Sequence, residues 1–413
     1  MKKFEKFNFI FYICRKFPKG EFKMVLEIRL SNFFSIKEEI TLDMRASNSS
    51  SQKNRDLHNN TFKNNDEKIL KSVAIYGANA SGKSNIIKAM QFCCSMVLNS
   101  HLHNENTIFN FSPFKFDDYS KKESSFFIRF VINNIEYEYS FSLNRSEITT
   151  EELYYYPNGR RAKIFTRNEK AGKEKNKIYS FSYAIPKPMD VAENTSRKTL
   201  YVSRASQLDR EIPKSIFKFF DNSFIIGYPT LGDKEVESLY NQNRKSLLKS
   251  LSIADSDIVD INLKEGLSFQ TFHRVNKDVP LDLISEESKG TQVLFFLMLA
   301  VIDIVKNNKI LLIDEIENSL HSKIVEYIIE LFHISNSAQI IFTTHNTNLL
   351  NLNKLRKDQI YFVNKKEDGS SDLYSLFDYK DFRDNMDLEK AYLQGRFDAV
   401  PYIDNSAIRS IIE

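Results

Sequence analysis

Residues 77–84 read Gly-Ala-Asn-Ala-Ser-Gly-Lys-Ser, the spacing G-x-x-x-x-G-K-S set between an apolar run and a helical pattern. The chemistry served by these types is phosphate binding. Backbone N–H groups must come close to phosphate oxygens, and side chains at Gly77 and Gly82 obstruct that approach. Lys83 then sets a positive charge on the β- and γ-phosphate oxygens, the Ser84 hydroxyl takes one magnesium position, and the following helix adds its N-terminal dipole. Asn79, Ala80, Ser81 and Asn85 complete the cradle. A triphosphate with Mg²⁺ is the implied ligand.

Two further strings have types and positions that fit hydrolysis of such a ligand. Lys309 to Glu315, KILLIDE, is an apolar strand ending in two carboxylates, which brings acids to the carboxyl edge of a parallel sheet. Asp314 is expected to hold the magnesium and Glu315 to orient and polarise the attacking water. A second apolar strand, Gln339 to Phe342, ends in Thr343-Thr344-His345. His345 at that strand end has the position for a γ-phosphate contact, although a lone histidine is more often structural. A third string, Glu287-Ser288-Lys289-Gly290-Thr291-Gln292, precedes a long apolar helix. Taken alone it is an N-cap followed by a glycine turn.

These strings need a frame. Val25 to Leu30 and Glu39 to Leu42 read as strands, residues 45 to 68 as an exposed polar loop, and Ser72 to Tyr76 as the strand before the phosphate loop. A helix is expected from Ser84 to Leu98. From 107 to 185, aromatic and β-branched runs read as antiparallel strands. Hairpins are placed at Asn133-Asn134 and Pro157-Asn158-Gly159, and a charged tip at 168 to 177. Helical patterns cover Ser206 to Phe220 and Lys234 to Leu251, followed by a hairpin of Leu267 to Val275 and Val279 to Leu283. From Lys289 onward helix and strand alternate, which predicts parallel strands with crossover helices.

Composition bounds the rest. The chain has 413 residues, 42% of them hydrophobic, enough for one large core or two domains that share an interface. Its 58 basic and 54 acidic residues nearly balance at +4, which speaks against a dedicated polyanion binder. Three cysteines, Cys14, Cys93 and Cys94, form neither a disulfide framework nor a zinc spacing, and a reducing cytoplasm fits. The run Val293 to Val305 is short for a membrane span and carries Asp303, so no membrane segment is expected. Residues 1–23 read as a non-core extension rather than a signal peptide, with Met24 as an expected natural start.

The order of phosphate loop, Ser288-Lys289-Gly290-Thr291, acidic strand and histidine strand resembles the ABC-type ATPases of the SMC and RecF group. It is more similar still to the stand-alone bacterial AAA-family ATP-binding proteins found with anti-phage systems. The likeness runs through Ser31-Asn32-Phe33, YGANASGKSN, DEIENSLH from Asp314 to His321, and AYLQGRFDAVPYI from Ala391 to Ile403, a marker to which no role is assigned. The resemblance implies an α/β P-loop NTPase of ABC-ATPase type: a mixed sheet with crossover helices, an antiparallel β subdomain and a compact helical/β lid insert. The implied division is 1–23, an N-terminal ATPase lobe at 24–185, the lid at 186–280 and a C-terminal lobe at 281–413.

The same resemblance implies a homodimer or higher oligomer in which Ser288, Lys289, Gly290 and Thr291, the string similar to the ABC signature, meet the nucleotide of the opposite subunit. Asn318, Ser319, Leu320 and His321 form the loop across that interface. It also implies an effector protein encoded nearby and a part in phage defence. A RecF-like repair ATPase whose ATP state regulates DNA binding is the alternative. Arg160-Arg161-Ala162-Lys163 and Lys173 to Lys177 are its candidate DNA contacts, although charged hairpin tips are usually just solvated. Two positions depart from the family. Gln91 lies too early for the magnesium-sensing glutamine, and Phe34 stands where relatives often carry arginine. The SMC-type long coiled coils are missing between phosphate loop and signature, and too few residues follow His345 for the nuclease domain of OLD-type proteins. Asn364-Lys365-Lys366-Glu367 is similar to a guanine-reading string but has Glu for Asp, and it reads as a hairpin turn ending in Asp368-Gly369.

Overall fold

Every residue of Ser72–Gly77 is buried, as an apolar strand must be when helices cover both faces of its sheet. The computed structural model describes residues 23–48, 56–228, 232–254, 257–264, 266, 268–383 and 386–401. The strands that frame the phosphate loop are β1 (Lys23–Ser31), β2 (Ile40–Asp43), β3 (Thr61–Asn64), β4 (Glu67–Leu70) and β5 (Ser72–Gly77). Helix α1 (Lys83–Asn99) follows the loop. Next come β6 (Ser124–Ile132), β7 (Ile135–Leu143), β8 (Ile148–Tyr155), β9 (Ala162–Asn168) and β10 (Tyr179–Phe181), then α2 (Pro188–Glu193), α3 (Tyr201–Gln207), α4 (Glu211–Ser223) and β11 (Phe224–Ile226). The remainder is α5 (Asp233–Ala254), β12 (Ile258–Lys264), β13 (Ser268–His273), β14 (Asn276–Asp282), α6 (Lys289–Lys306), β15 (Ile310–Ile313), α7 (Ser322–Ile334), β16 (Gln339–Thr343), β17 (Ile360–Lys365), β18 (Ser371–Ser375) and α8 (Leu388–Leu393).

Two large sheets result. One is ordered β11-β15-β16-β5-β17-β18, parallel except for the last pair, and it places the histidine strand β16 beside the phosphate-loop strand and the acid strand β15 one strand beyond it. The other, β10-β9-β8-β7-β6-β1-β2, is antiparallel throughout. Its inward residues alternate with outward ones, as in Ile135–Leu143, because only one face meets the core. That face packs with α1 and with residues of α2, α3 and α4 in one apolar cluster. A β-bulge interrupts the β1–β6 register between Val25 and Glu27, and the main-chain N–H and carbonyl of Val25 beside it bond to a side chain of the other sheet. The fully buried Gln339 side chain meets both groups, accepting from Val25 N at 2.7 Å and donating to its carbonyl at 3.0 Å. The two sheets are thereby stitched together at the amino end of β16.

A smaller antiparallel sheet, β12-β13-β14, packs with α5 and α6. Tyr240, Phe269 and Phe295 join the three layers at ring separations of 5.2 and 4.8 Å. Burial of the apolar run in α6 agrees with its reading as a core helix, and among the described residues no helix is long and apolar enough to cross a membrane.

Several expectations need correction. Within the supposed loop 45–68, β3 and the first half of β4 form a hairpin through Asn65, whose φ of 53° suits asparagine. Its polar composition hid it, because Ile69 and Leu70 supply most of its burial. Residues 49–55 lie outside the described residues, as do Cys14 and the extension except for Lys23, which opens β1. The helix placed at Ser206 to Phe220 is two helices broken at Asp209, φ 57°. Strand β12 carries only Ile258 and Ile261 as fully buried residues, so its weak alternation was missed. Asn364 to Gly369 does form the turn between β17 and β18, with Lys366 N donating to Ser370 O at 2.8 Å.

The segment beginning at Ala391 acquires a packing role. Phe397 stacks on Phe362 at 4.6 Å, and Tyr392 meets Tyr76, the residue before Gly77, at 5.8 Å. An aromatic layer thus backs the strand that delivers the phosphate loop.

Candidate nucleotide site

The phosphate loop fits its steric specification. A Cβ on Gly77 would lie 2.6 Å from both the Ser81 hydroxyl and the Val363 carbonyl. Gly82 has φ 111°, and a Cβ there would meet Ser371 Oγ at 2.0 Å and Ser35 Oγ at 2.6 Å. Ala80, at φ 61°, completes the turn. Gly82 caps α1 with no side-chain hydrogen bond and no acid in the first turn, so the helix's leading N–H groups face the loop free for an anion. Ser81 is buried and its hydroxyl has no partner, an orphaned donor where a phosphate oxygen is the natural acceptor. Asn79 and Ala80 are exposed, and Ser84 and Asn85 half-buried.

Gly82→Ala is expected to destabilise the fold by about 2–4 kcal/mol, combining left-handed strain with overpacking. It is also expected to lose nucleotide binding. Denaturant unfolding checks this: a midpoint equal to wild type means that the Ser371 and Ser35 hydroxyls do not confine this position.

Lys83 is buried and donates to the carbonyls of Gly77 and Ala78, each at 3.0 Å. Burial lowers its pKa, and the charges of Asp314, Glu315 and Glu317 oppose that shift. The opposed acids stand on the neighbouring strand edge. Parallel register pairs Ile313 with Phe342, which sets Asp314 level with Thr343. The Thr343 hydroxyl, fully buried, donates to Asp314 Oδ1 at 2.5 Å and accepts from the Glu315 N–H at 2.8 Å. One side chain therefore aims both acids.

Glu315 has φ 49°, uncommon for a residue with a Cβ. Its strained turn is held from two sides, by Thr343 at the amide and by the Tyr228 hydroxyl, which lies 2.9 Å from the Glu315 carbonyl and 3.0 Å from that of Ile316. The carboxylate stays exposed. His345 is exposed at the end of β16; desolvation and then the Lys83 ammonium keep its imidazole pKa below the ordinary value.

Among the described residues no group of three His, Cys, Asp or Glu forms a metal cage. Magnesium in a nucleotide site needs none, since phosphate oxygens and waters fill most of its positions. Ser84 and Asp314 are the residues that fit it, Asp314 with one oxygen already oriented by Thr343. The metal would neutralise charge on the phosphates.

Ser288 lies elsewhere on the molecule's surface chemistry. Its hydroxyl caps α6 by accepting from Thr291 N at 3.1 Å, and it lies 2.8 Å from Thr291 Oγ1. Ser288 and Lys289 are exposed, and a Cβ on Gly290 would sit 3.4 Å from the Ser319 carbonyl. The structure thus brings the string 288–291 together with the loop 318–321. In that loop Asn318, Ser319 and His321 are exposed, Leu320 is buried, Ser319 has φ 62°, and His321 Nδ1 caps α7 by accepting from Lys323 N at 3.2 Å. Just before the signature, Glu287 accepts from Thr271 and from His273 Nε2 at 2.7 Å, tying it to the small sheet.

Residues that sequence reading passed over cluster around these groups. Ser371 Oγ donates to the Ser81 carbonyl at 2.5 Å and lies 2.7 Å from Ser35 Oγ, which accepts from Asn85 Nδ2 at 2.7 Å. Ser35 follows the quoted Ser31-Asn32-Phe33, but nothing local marks Ser371 or Tyr228. Thr343 was quoted without a role; the level of two adjacent parallel strands is the signal that finds it. At Phe34 the chain turns with φ 50°, and the ring, 41% exposed, stands edge-on to Phe33 at 4.9 Å. Three of the candidate DNA contacts make surface contacts within the chain: Arg161 pairs with Glu138 at 2.7 Å and covers Tyr154, Lys163 reaches Ser180, and Lys177 pairs with Glu174.

Residues 72–351 match a family model described as "AAA domain, putative AbiEii toxin, Type IV TA system". The chain belongs to this AAA-domain family. No curated protein sequence matches it. Among solved structures, this AAA-domain chain is similar to the SMC head domain from Thermotoga maritima, with 16% identity, 85% of this chain and 98% of that one covered, and a TM-score of 0.40. It is similar also to an SMC head bound to the C-terminal winged-helix domain of ScpA, with 18% identity, 89% and 99% coverage and a TM-score of 0.43. An SMC head with extended coiled coil bound to the C-terminal domain of ScpA, from Pyrococcus furiosus, gives 15%, 91%, 99% and 0.40.

Proposed function

We propose that the chain binds and hydrolyses ATP as a nucleotide-sandwich homodimer. Lys83 and the first turn of α1 hold the phosphates, Glu315 polarises the attacking water, and His345 contacts the γ-phosphate. Ser288 to Thr291 of a second copy closes the far side. The observation that carries the reading is the shared Thr343 hydroxyl, which aligns Asp314 and Glu315 one strand away from the phosphate-loop strand. The exposed Ser288, on the string that approaches Ser319 of the loop 318–321, supports closure by another molecule, because an exposed hydroxyl there is accessible to a partner's nucleotide.

On this reading, binding closes the dimer and hydrolysis reopens it. The lid at 186–280, between lobes at 24–185 and 281–413, passes the change to an effector in phage defence, within the cytoplasm. The purified chain supplied with ATP and Mg²⁺ is expected to release phosphate and to double its mass in light scattering. A chain that neither turns over ATP nor associates overturns the proposal.

A further inference from the structure

Glu317 follows the two acids by two residues, and its charge also acts on Lys83. Its Oε1 accepts the main-chain N–H of His345 at 2.5 Å, across the gap between β15 and β16. Its Oε2 is buried with no partner. A carboxylate oxygen held out of water without a donor disfavours folding, so the group has a reason other than stability to be there. The reason lies in what it grips. His345 stands beyond the last residue of β16, past the ladder that fixes Thr343, and its peptide N–H is anchored by Glu317. The strained turn at Glu315 is what lets the chain double back. Asn318 N donates to the Glu315 carbonyl at 2.9 Å and Leu320 N to that of Glu317 at 2.8 Å.

The geometry points to Glu317 as the positioning residue that sets His345 relative to the γ-phosphate, acting through the His345 peptide rather than on substrate. This rests on the ATPase reading above. Glu317 and Glu315 sit on one short turn, so the group that activates water and the group that contacts phosphate are indexed to the same piece of backbone. Displacement of a reacting group by an ångström is enough to cost about 10²-fold in rate.

The test compares Glu317→Ala, Glu317→Gln and Glu317→Asp in the full chain, measuring kcat, ATP affinity and melting temperature. Ala and Asp, which lose or retract the acceptor, are expected to lower kcat by about 10- to 100-fold with ATP affinity within about threefold of wild type. Gln keeps an acceptor oxygen at the same reach and is expected to restore kcat to within about threefold. Should Ala fail to fold, the contrast between Asp and Gln carries the same information. Equal turnover in all three variants overturns the assignment, as does a Gln variant as slow as Ala, or a loss of ATP affinity that matches the loss of rate. A wild-type chain with no ATPase activity instead sinks the functional reading itself.

Discussion

Glu315→Gln is expected to lower ATP turnover by about 10²–10³-fold while leaving ATP binding intact, which is the range for removing a positioned general base. The amide has the shape of the carboxylate but cannot take a proton from water. The surrounding geometry does not depend on the lost charge. The unusual backbone at Glu315 is held by the Thr343 hydroxyl at its amide and the Tyr228 hydroxyl at its carbonyl. The side chain itself is exposed, so the substitution creates no buried defect and the melting temperature should stay within a few degrees. With hydrolysis blocked and binding retained, the ATP-bound closed state accumulates. Size-exclusion chromatography with ATP and Mg²⁺ should then show a dimer that persists after free nucleotide is removed, where wild type returns to monomer. A variant that hydrolyses at the wild-type rate removes Glu315 from the chemistry.

Lys83→Met should weaken ATP binding by about 10²-fold, since a charge-assisted contact to an anion contributes about 1.5–3 kcal/mol and this one is withdrawn from water. Methionine keeps the apolar stem, so packing of the buried side chain is largely retained. The lost charge acts twice. It removes the cation that meets the phosphates, and it leaves Asp314, Glu315 and Glu317 without the ammonium they help keep charged. On the proposed assignment, in which Ser84 and Asp314 would meet the metal and Lys83 the phosphate, added magnesium is expected to compensate only the second effect. Titration calorimetry across a magnesium series checks this. Wild-type affinity in the Met variant would show that the loop backbone alone carries the binding. A variant that binds normally but hydrolyses slowly would move Lys83 from binding to the transition state.

The cysteines bear on handling rather than function. Burial pushes the Cys93 thiol up to about 12 and raises that of Cys94, so neither is a reactive thiolate at neutral pH.

How much was legible in the chain depended on how far apart the cooperating residues stand. The cradle at 77–84 was readable because its demands are local. Gly77 and Gly82 are required by a close approach and a positive φ that neighbouring residues impose, and a strand before and a helix after are enough to recognise it. Apolar runs with acids at their ends, such as Ile310–Ile313 before Asp314, were readable for the same reason. The polar hairpin at 61–70 was not, because its burial comes from residues brought over it by the rest of the fold.

By itself the sequence determined the glycine turn between β5 and α1 and the parallel arrangement around β5. Only the tertiary structure decided that Thr343 serves both acids, that Tyr228 stabilises the turn at Glu315, that Ser35 and Ser371 close on Gly82, and that Glu317 holds His345. Those partners lie tens to hundreds of positions apart in the chain. Strand register and sheet order bring them together, and these are selected by the packing of the whole core rather than by any local pattern of residue types.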